Sequence, residues 1–174
     1  MSLVLAGCGG SSSEAADPTP EPVDVGQSIT VADVTFTVHS VERVTPRRTG
    51  MSFLDVKEGH DVLVIDVGIE NERGHEISMF SDLEWNVRDA DGRSFDDEYV
   101  SGVTNEPEID DVPANGRSRG VVIVPVLETS SGFILAVTLD EPTGDINIFD
   151  ATAIATAWAN PRQPLGHVTI DLGI

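Results

Sequence analysis

An all-β fold, a sandwich of two antiparallel sheets with about seven to nine strands and at most one short helix, is what this sequence predicts. Three observations carry that expectation. Short runs in which apolar and polar residues alternate with period two recur along the chain, as in Leu83-Glu84-Trp85-Asn86-Val87-Arg88. Turn-forming pairs such as Ala32-Asp33 and Asp91-Gly92 separate them. Only Ile146 to Trp158 leaves helix and strand both open, with Asp150 as a possible cap and Pro161 as a stop.

The chain of 174 residues suits one domain plus a tail. Its 30 Asp and Glu against 10 Lys and Arg give a formal net charge of -20, and Lys57 is the one lysine. Such a surface repels nucleic acid and anionic headgroups, so neither is expected to partner the folded domain. At molar salt the Debye length shrinks to about 3 Å, which screens the self-repulsion of so acidic a chain. A salt-loving source is the expectation that follows.

Cys8 is the single cysteine, so no disulfide forms within the chain. Leu5-Ala6-Gly7-Cys8 has the form of a lipobox, with small residues ahead of a cysteine whose sulfur receives a diacylglyceryl group. No Lys or Arg precedes it and the apolar stretch is short for a signal peptide. Residues 1–8 are accordingly read as the remnant of a lipoprotein signal peptide. Residues 9–24, rich in Gly, Ser, Pro and acids, bury too little to offset their ordering entropy and are expected to be a disordered tether. The sandwich is then expected over 25–174. No apolar run approaches the length of a membrane-spanning helix.

Val34, Phe36 and Val38 point to a core while Thr35, Thr37 and His39 point away. Thr45 to Glu58 is read as a loop whose Arg47-Arg48 pair neutralises neighbouring acids. The central strand is expected at Gly59 to Asn71: its odd face (Leu63, Ile65, Val67, Ile69) is aliphatic, and its even face turns polar beyond Val64, leaving Asp66 and Glu70 to solvent. Glu72-Arg73-Gly74 makes a turn. His75 and Met79 stand four apart, a weak case for soft metal ligands, and Met79 with Phe80 is expected to plug the core instead. Trp85 is expected at the centre of the facing sheet.

Asp89, Asp91, Asp96 and Asp97 invite a calcium argument, but the glycine of D-x-D-G comes too early for an EF-hand loop, and Asp91-Gly92 reads as a hairpin turn. Tyr99 to Pro113 is read as a long acidic loop. Gly116-Arg117-Ser118-Arg119-Gly120 matches G-x-S-x-G in letters, yet a β-branched run rather than a helix follows it, against a nucleophile elbow. Phe133, Leu135, Val137 and Leu139 mark a further strand, and Val168, Ile170 and Leu172 the last. His39, His60, His75 and His167 show no ligand spacing, so no catalytic residue, cofactor site or metal site is expected.

From Val25 onward the chain resembles the immunoglobulin-like extracytoplasmic lipoprotein domains of unknown function, number 4352 in the unknown-function series. These are similar in fold to a secreted immunoprotective antigen of mycobacteria. The resemblance rests on Val25-Gly26-Gln27 leading into Val34 to Val38, Gly59 to Asn71 with its terminal asparagine, Asp91-Gly92-Arg93-Ser94-Phe95, and Pro113 to Gly120 before a strand ending at Pro125. It thins beyond residue 139, where Asp145 to Pro164 looks like an insertion. An immunoglobulin-like sandwich is the fold it implies, and it brings no catalytic residues. The expected function is a non-catalytic binding module, held by a lipid on Cys8 to the outer face of the cell membrane, with a surface protein or polysaccharide as partner. Two alternatives stand beside it: an accessory subunit of a surface or transport complex, and a weak cation-binding domain.

Overall fold

The computed structural model describes residues 21–45, 56–79, 81–96, 107–140 and 164–174. Among these there are nine strands in two sheets and no helix. One sheet holds β2 (Ser28–Val31), β3 (Val34–Val44), β4 (His60–Asn71) and β7 (Gly116–Leu127), in the order β2-β3-β4-β7. The other holds β1 (Val23–Asp24), β5 (Leu83–Arg88), β6 (Ser94–Asp96), β8 (Ile134–Asp140) and β9 (Pro164–Asp171), in the order β1-β9-β8-β5-β6. The chain crosses between the sheets four times, after β1, β4, β6 and β7, as in an immunoglobulin-like sandwich.

β4 is the inner strand expected from its alternation, paired with β3 on one side and along its whole length with β7 on the other. Leu63, Ile65, Val67 and Ile69 are buried in the core, and across it Trp85 of β5 meets Phe36 of β3 edge to face at 6.4 Å. The register from Asn71↔Gly116 to His60↔Leu127 makes β7 longer than its apolar run suggests. Gly116 to Gly120, placed by the sequence reading ahead of the strand, is itself strand because β4 offers it partners throughout.

Two further differences concern the ends of elements. Val23 and Asp24, expected in the tether, pair in parallel with Ile170 and Asp171. Gly26, at φ 88°, then turns the chain toward β2 in the opposite sheet. The even side of β4 is also less exposed than its pattern implies. Val62 and Val64 are buried with Val121 and Ile123 in a second apolar cluster on the outer side of the four-stranded sheet, with Val44 and Val56 packed against it.

Pro125 sits inside β7 without breaking it. Val121 directs its N–H to Pro107 O (2.9 Å) and its carbonyl to Ile109 N (3.2 Å), both away from β4. Residue 125, four further along, faces the same outer edge, so its missing N–H takes nothing from the pairing with β4.

Candidate functional site

Reactive side-chain types gather at three places: the two ends of β4 and the outer face of its sheet. At the end near Asp61, Arg43 is held on every side. Its Nε donates to Asp61 Oδ2 at 2.7 Å, its Nη1 to Ser130 O at 2.7 Å, and its Nη2 to the carbonyls of Leu127 (3.0 Å) and Glu128 (2.8 Å). The guanidinium lies over the Phe133 ring, 5.8 Å from its centroid. Ser130 continues the network, its hydroxyl donating to Asp89 Oδ2 at 2.7 Å. Asp89 also accepts from the amides of Asp91 (3.0 Å) and Arg93 (2.8 Å) and from the Arg93 guanidinium (3.2 Å). Burial works against ionisation of Asp89, and these donors outweigh it, the Ser130 hydroxyl foremost, holding its carboxyl below the usual carboxylate range.

The described acids of this stretch are engaged with protein donors. Both oxygens of Asp89 are occupied as acceptors within the turn, Asp91 pairs with Arg93 at 3.0 Å, and Asp96 accepts from Asn86 at 2.8 Å. Asp89 and Asp91 share the Arg93 guanidinium while Asp96 answers Asn86, and Asp97 lies outside the described residues. Among the described residues no three His, Cys, Asp or Glu side chains are placed to hold a metal ion. The turn reading of Asp91-Gly92 is correct: Gly92 adopts φ 80° and β6 pairs back on β5.

At the other end of β4, Asn71 is 1% exposed. Its Nδ2 donates to the carbonyls of His75 (2.8 Å) and Pro113 (3.0 Å), with Val112 O at 3.3 Å, and its Oδ1 accepts the Arg73 amide at 3.0 Å. One side chain thus ties the strand end, the following turn and the approach to β7. An open hollow of about 400 Å³ lies beside it, lined by Glu70, Asn71, Glu72, Asn115, Gly116 and Arg117.

The third place is the outer face of the β2-β3-β4-β7 sheet. Between Val38 and Ser40 the register of β3 against β4 slips by a β-bulge, so His39 and Ser40 in succession are exposed on this face. His39 lies on Gly68, where a Cβ would come within 2.7 Å of its Nε2. Beside it Asp66 receives both Nε (3.0 Å) and Nη2 (2.7 Å) of Arg119. Those hydrogen bonds hold the Asp66 carboxyl below its usual range against the opposing effect of burial, with the Arg119 charge and then His39 assisting. A cleft of about 460 Å³ opens here, lined by Ser40, Glu42, Val64, Asp66, Arg119 and Val121 and walled by Pro107. Two hydroxyl pairs, Ser28 with Thr37 (2.7 Å) and Thr30 with Thr35 (2.8 Å), extend the polar surface toward the β2 edge.

Sequence reasoning foresaw His39 and Asp66 as outward-facing but did not join them. The bulge that doubles the outward residues leaves no mark in an alternation pattern, and Gly68 was the one available signal. Ser118 lies within β7, paired with Ile69, so it stands on no strand-to-helix elbow. No helical turn joins His75 to Met79; Ile77 between them pairs with Val112, and Met79 packs against the core as expected. Cys8, Arg47, Arg48, Phe80 and the stretch from Ile146 to Trp158 lie outside the described residues. Among the described residues no helix is long and apolar enough to cross a membrane.

Comparison with known proteins places this geometry among similar folds. The family described as Domain of unknown function (DUF4352) matches residues 23–145. No curated protein matches the chain. Among solved structures, the yjhA protein of Bacillus subtilis is 15% identical with a TM-score of 0.53, covering 86% of this chain and 99% of its own. The ycdA protein of Bacillus subtilis, a candidate lipoprotein, is 10% identical with a TM-score of 0.52, over 83% of this chain and 38% of its own. The secreted protein MPT63 of Mycobacterium tuberculosis is 17% identical with a TM-score of 0.48, over 71% of this chain and 93% of its own.

Proposed function

Since the chain belongs to the DUF4352 family of domains of unknown function, we propose that it is a non-catalytic interaction module, held outside the cell membrane by a lipid on Cys8. The observation that carries the anchor is Leu5-Ala6-Gly7-Cys8 followed by a Gly, Ser, Pro and acid-rich stretch, ahead of a sandwich that begins at Val23. A diacylglyceryl group supplies the two chains that stable anchoring needs. The similarity of fold to ycdA, a candidate lipoprotein, agrees with this reading. On the protein side, the carboxylates that could serve chemistry serve structure: Asp89 closes a turn, Asp61 receives Arg43, and Asp66 receives Arg119. Among the described residues, this leaves the surface of the two sheets for function.

The test is mass spectrometry of the protein taken from the membranes of the cells that make it, alongside fractionation of Cys8→Ser. A diacylglyceryl mass on Cys8 and release of the variant from the membrane are expected. An unmodified Cys8, or a variant that fractionates as the parent does, overturns the anchor. The net charge of -20 further supports a working environment of high salt. Its thermal midpoint should rise between dilute and molar potassium chloride, and a midpoint that falls would refute that environment.

A further inference from the structure

The strand by which the chain enters the sandwich carries a feature that works against its own pairing. β1 is two residues long and runs parallel to β9, with Val23 beside Ile170 and Asp24 beside Asp171. Ile170 is buried and Val23 packs on the core, so the alternation turns Asp24 and Asp171 to the same outer face, where both are exposed. Neighbouring strands lie about 4.8 Å apart, which sets the two carboxylates side by side. Like charges directly opposite one another destabilise a strand pair. Among the described residues the ion pairs take Arg43, Arg93 and Arg119 to other acids. Arg88, the cation on this row, is two strands from Asp171, beyond Ile134, and its Nε donates to Asn86 Oδ1 at 3.4 Å.

The further hydrogen bonds of Asp24 run to Gln27 in the following turn, its carbonyl accepting from the Gln27 amide (3.0 Å) and its amide donating to Gln27 Oε1 (3.2 Å). Gly26, at φ 88°, donates its amide to Val38 O in the opposite sheet at 2.8 Å, and beyond it the chain is held by the pairing of β2 with β3. Residues 23–25 are thus a strap fixed at Gly26, with charge opposing its outer contact. We propose that this strap is salt-gated: its docking on β9 is weakened in dilute salt, restored at molar salt, and hinged at Gly26 while the rest of the sandwich stays folded. Two unit charges about 5 Å apart in water shift an equilibrium by about fourfold. The Debye length falls from about 30 Å at 0.01 M salt to about 3 Å at 1 M, so most of that factor is lost on going to high salt. Lifting the strap uncovers the outer edge of β9 and adds three residues, about 10 Å when extended, to the chain ahead of Gly26. Ionic strength then sets the reach of the domain from its N-terminal side. The inference goes beyond the lipid anchor and holds with or without it.

The experiment is hydrogen exchange of the full chain, isotope-labelled for amide resonances, in about 10 mM and about 1 M potassium chloride. Protection of the 23–25 amides is taken relative to Leu63 and Ile65 in β4, which removes any change in global stability, and should rise about threefold at molar salt. Asp24→Asn and Asp171→Asn keep the side-chain shape, and at residue 171 the oxygen that accepts the Gly173 amide (2.9 Å). Each should bring protection in dilute salt to the molar-salt level and abolish the salt dependence, and the double variant should add nothing further. Glu84→Gln, exposed on the outer face of the same sheet, changes the net charge equally and should leave the salt dependence as it is. A relative protection that is the same at both salt concentrations, a salt dependence that survives both Asn variants, or a Glu84→Gln variant that acts as they do would each overturn the proposal. A lipidated Cys8 with no salt effect on the strap overturns this inference alone, whereas an unmodified Cys8 with a salt-dependent strap overturns the anchor alone.

Discussion

Replacing Asn71 should expose how much of this sandwich hangs on one side chain. Asn71→Ala removes the donors to His75 O and Pro113 O, the weaker contact to Val112 O, and the acceptor for the Arg73 amide. Val112 O and Pro113 O retain other partners, the amides of Ile77 (2.9 Å) and Gly116 (3.1 Å). The Arg73 amide and His75 O retain none among the described residues. Each orphaned buried group costs about 1–3 kcal/mol, with the low end suited to positions that water can reach. With the loss of packing, a destabilisation of about 2–4 kcal/mol follows, or roughly 5–15 °C in thermal midpoint for a domain of this size. Asn71→Asp is the sharper variant. It keeps an acceptor for Arg73 but turns a carboxylate toward carbonyl oxygens, which raises the pKa of the introduced group in the folded state. A raised folded pKa means that the native form binds the proton more tightly, so this variant should gain stability as pH falls from 7 toward 5. Urea unfolding followed by circular dichroism at both pH values measures each effect. An alanine variant within about 0.5 kcal/mol of the parent, or an aspartate variant as stable as the parent at pH 7, would refute the reasoning.

Gly120→Ala should destabilise by about 2–4 kcal/mol in the same assay, because its Cβ would fall 2.6 Å from Ile109 Cα and 2.7 Å from the Glu108 carbonyl carbon, backbone atoms that cannot swing aside. In the β2–β3 turn Ala32 and Asp33 adopt φ 46° and 62°, so Ala32→Asn with Asp33→Gly should stabilise by about 1 kcal/mol, read as a raised urea midpoint. Asp66 and Asp89 both have lowered folded pKa values, so their contribution is complete above the unfolded value of about 3.9 and is lost as pH falls through the lower folded values. Measured at molar salt, where general repulsion is screened, Asp89→Asn should flatten that acid decline; Asp66→Asn should do so less, its exposed pair with Arg119 being worth about 0.2–1 kcal/mol.

The parts of this fold that the sequence discloses are those in which one strand's side chains report their own surroundings. Leu63, Ile65, Val67 and Ile69 alternate because one side of β4 faces a core, and Trp85 shows itself in the same way. Pairing between distant segments leaves no such trace. Nothing in Val23-Asp24 indicates that Ile170-Asp171 will lie beside it, and two residues are too few to display a period. The second cluster on Val62 and Val64 was hidden for a related reason: an apolar residue on an outward face names no partner, and Val121 and Ile123 come from a strand read only as a β-branched run. At Asp89 the reading of Asp91-Gly92 as a turn was correct, but the donors that fill the carboxylate did not show in the sequence. Acid spacing that suggests a cation is equally the spacing of a turn whose amides and arginine point inward at one carboxylate, and only coordinates separate the two. The outer face of the four-stranded sheet was legible in His39 and Asp66 singly and illegible in their meeting, which depends on a bulge of one residue.

The short β1 strand gives the domain a mechanical character. Val23 and Asp24 are paired to β9 in one layer, the Gly26 amide is bonded to Val38 O at 2.8 Å, and Ser28 to Val31 are paired to β3 in the other layer. A force applied to the chain ahead of Val23 is therefore divided between both sheets within a few residues. It loads the parallel β1–β9 contacts along the strand direction, in shear, before any antiparallel pair can be peeled open.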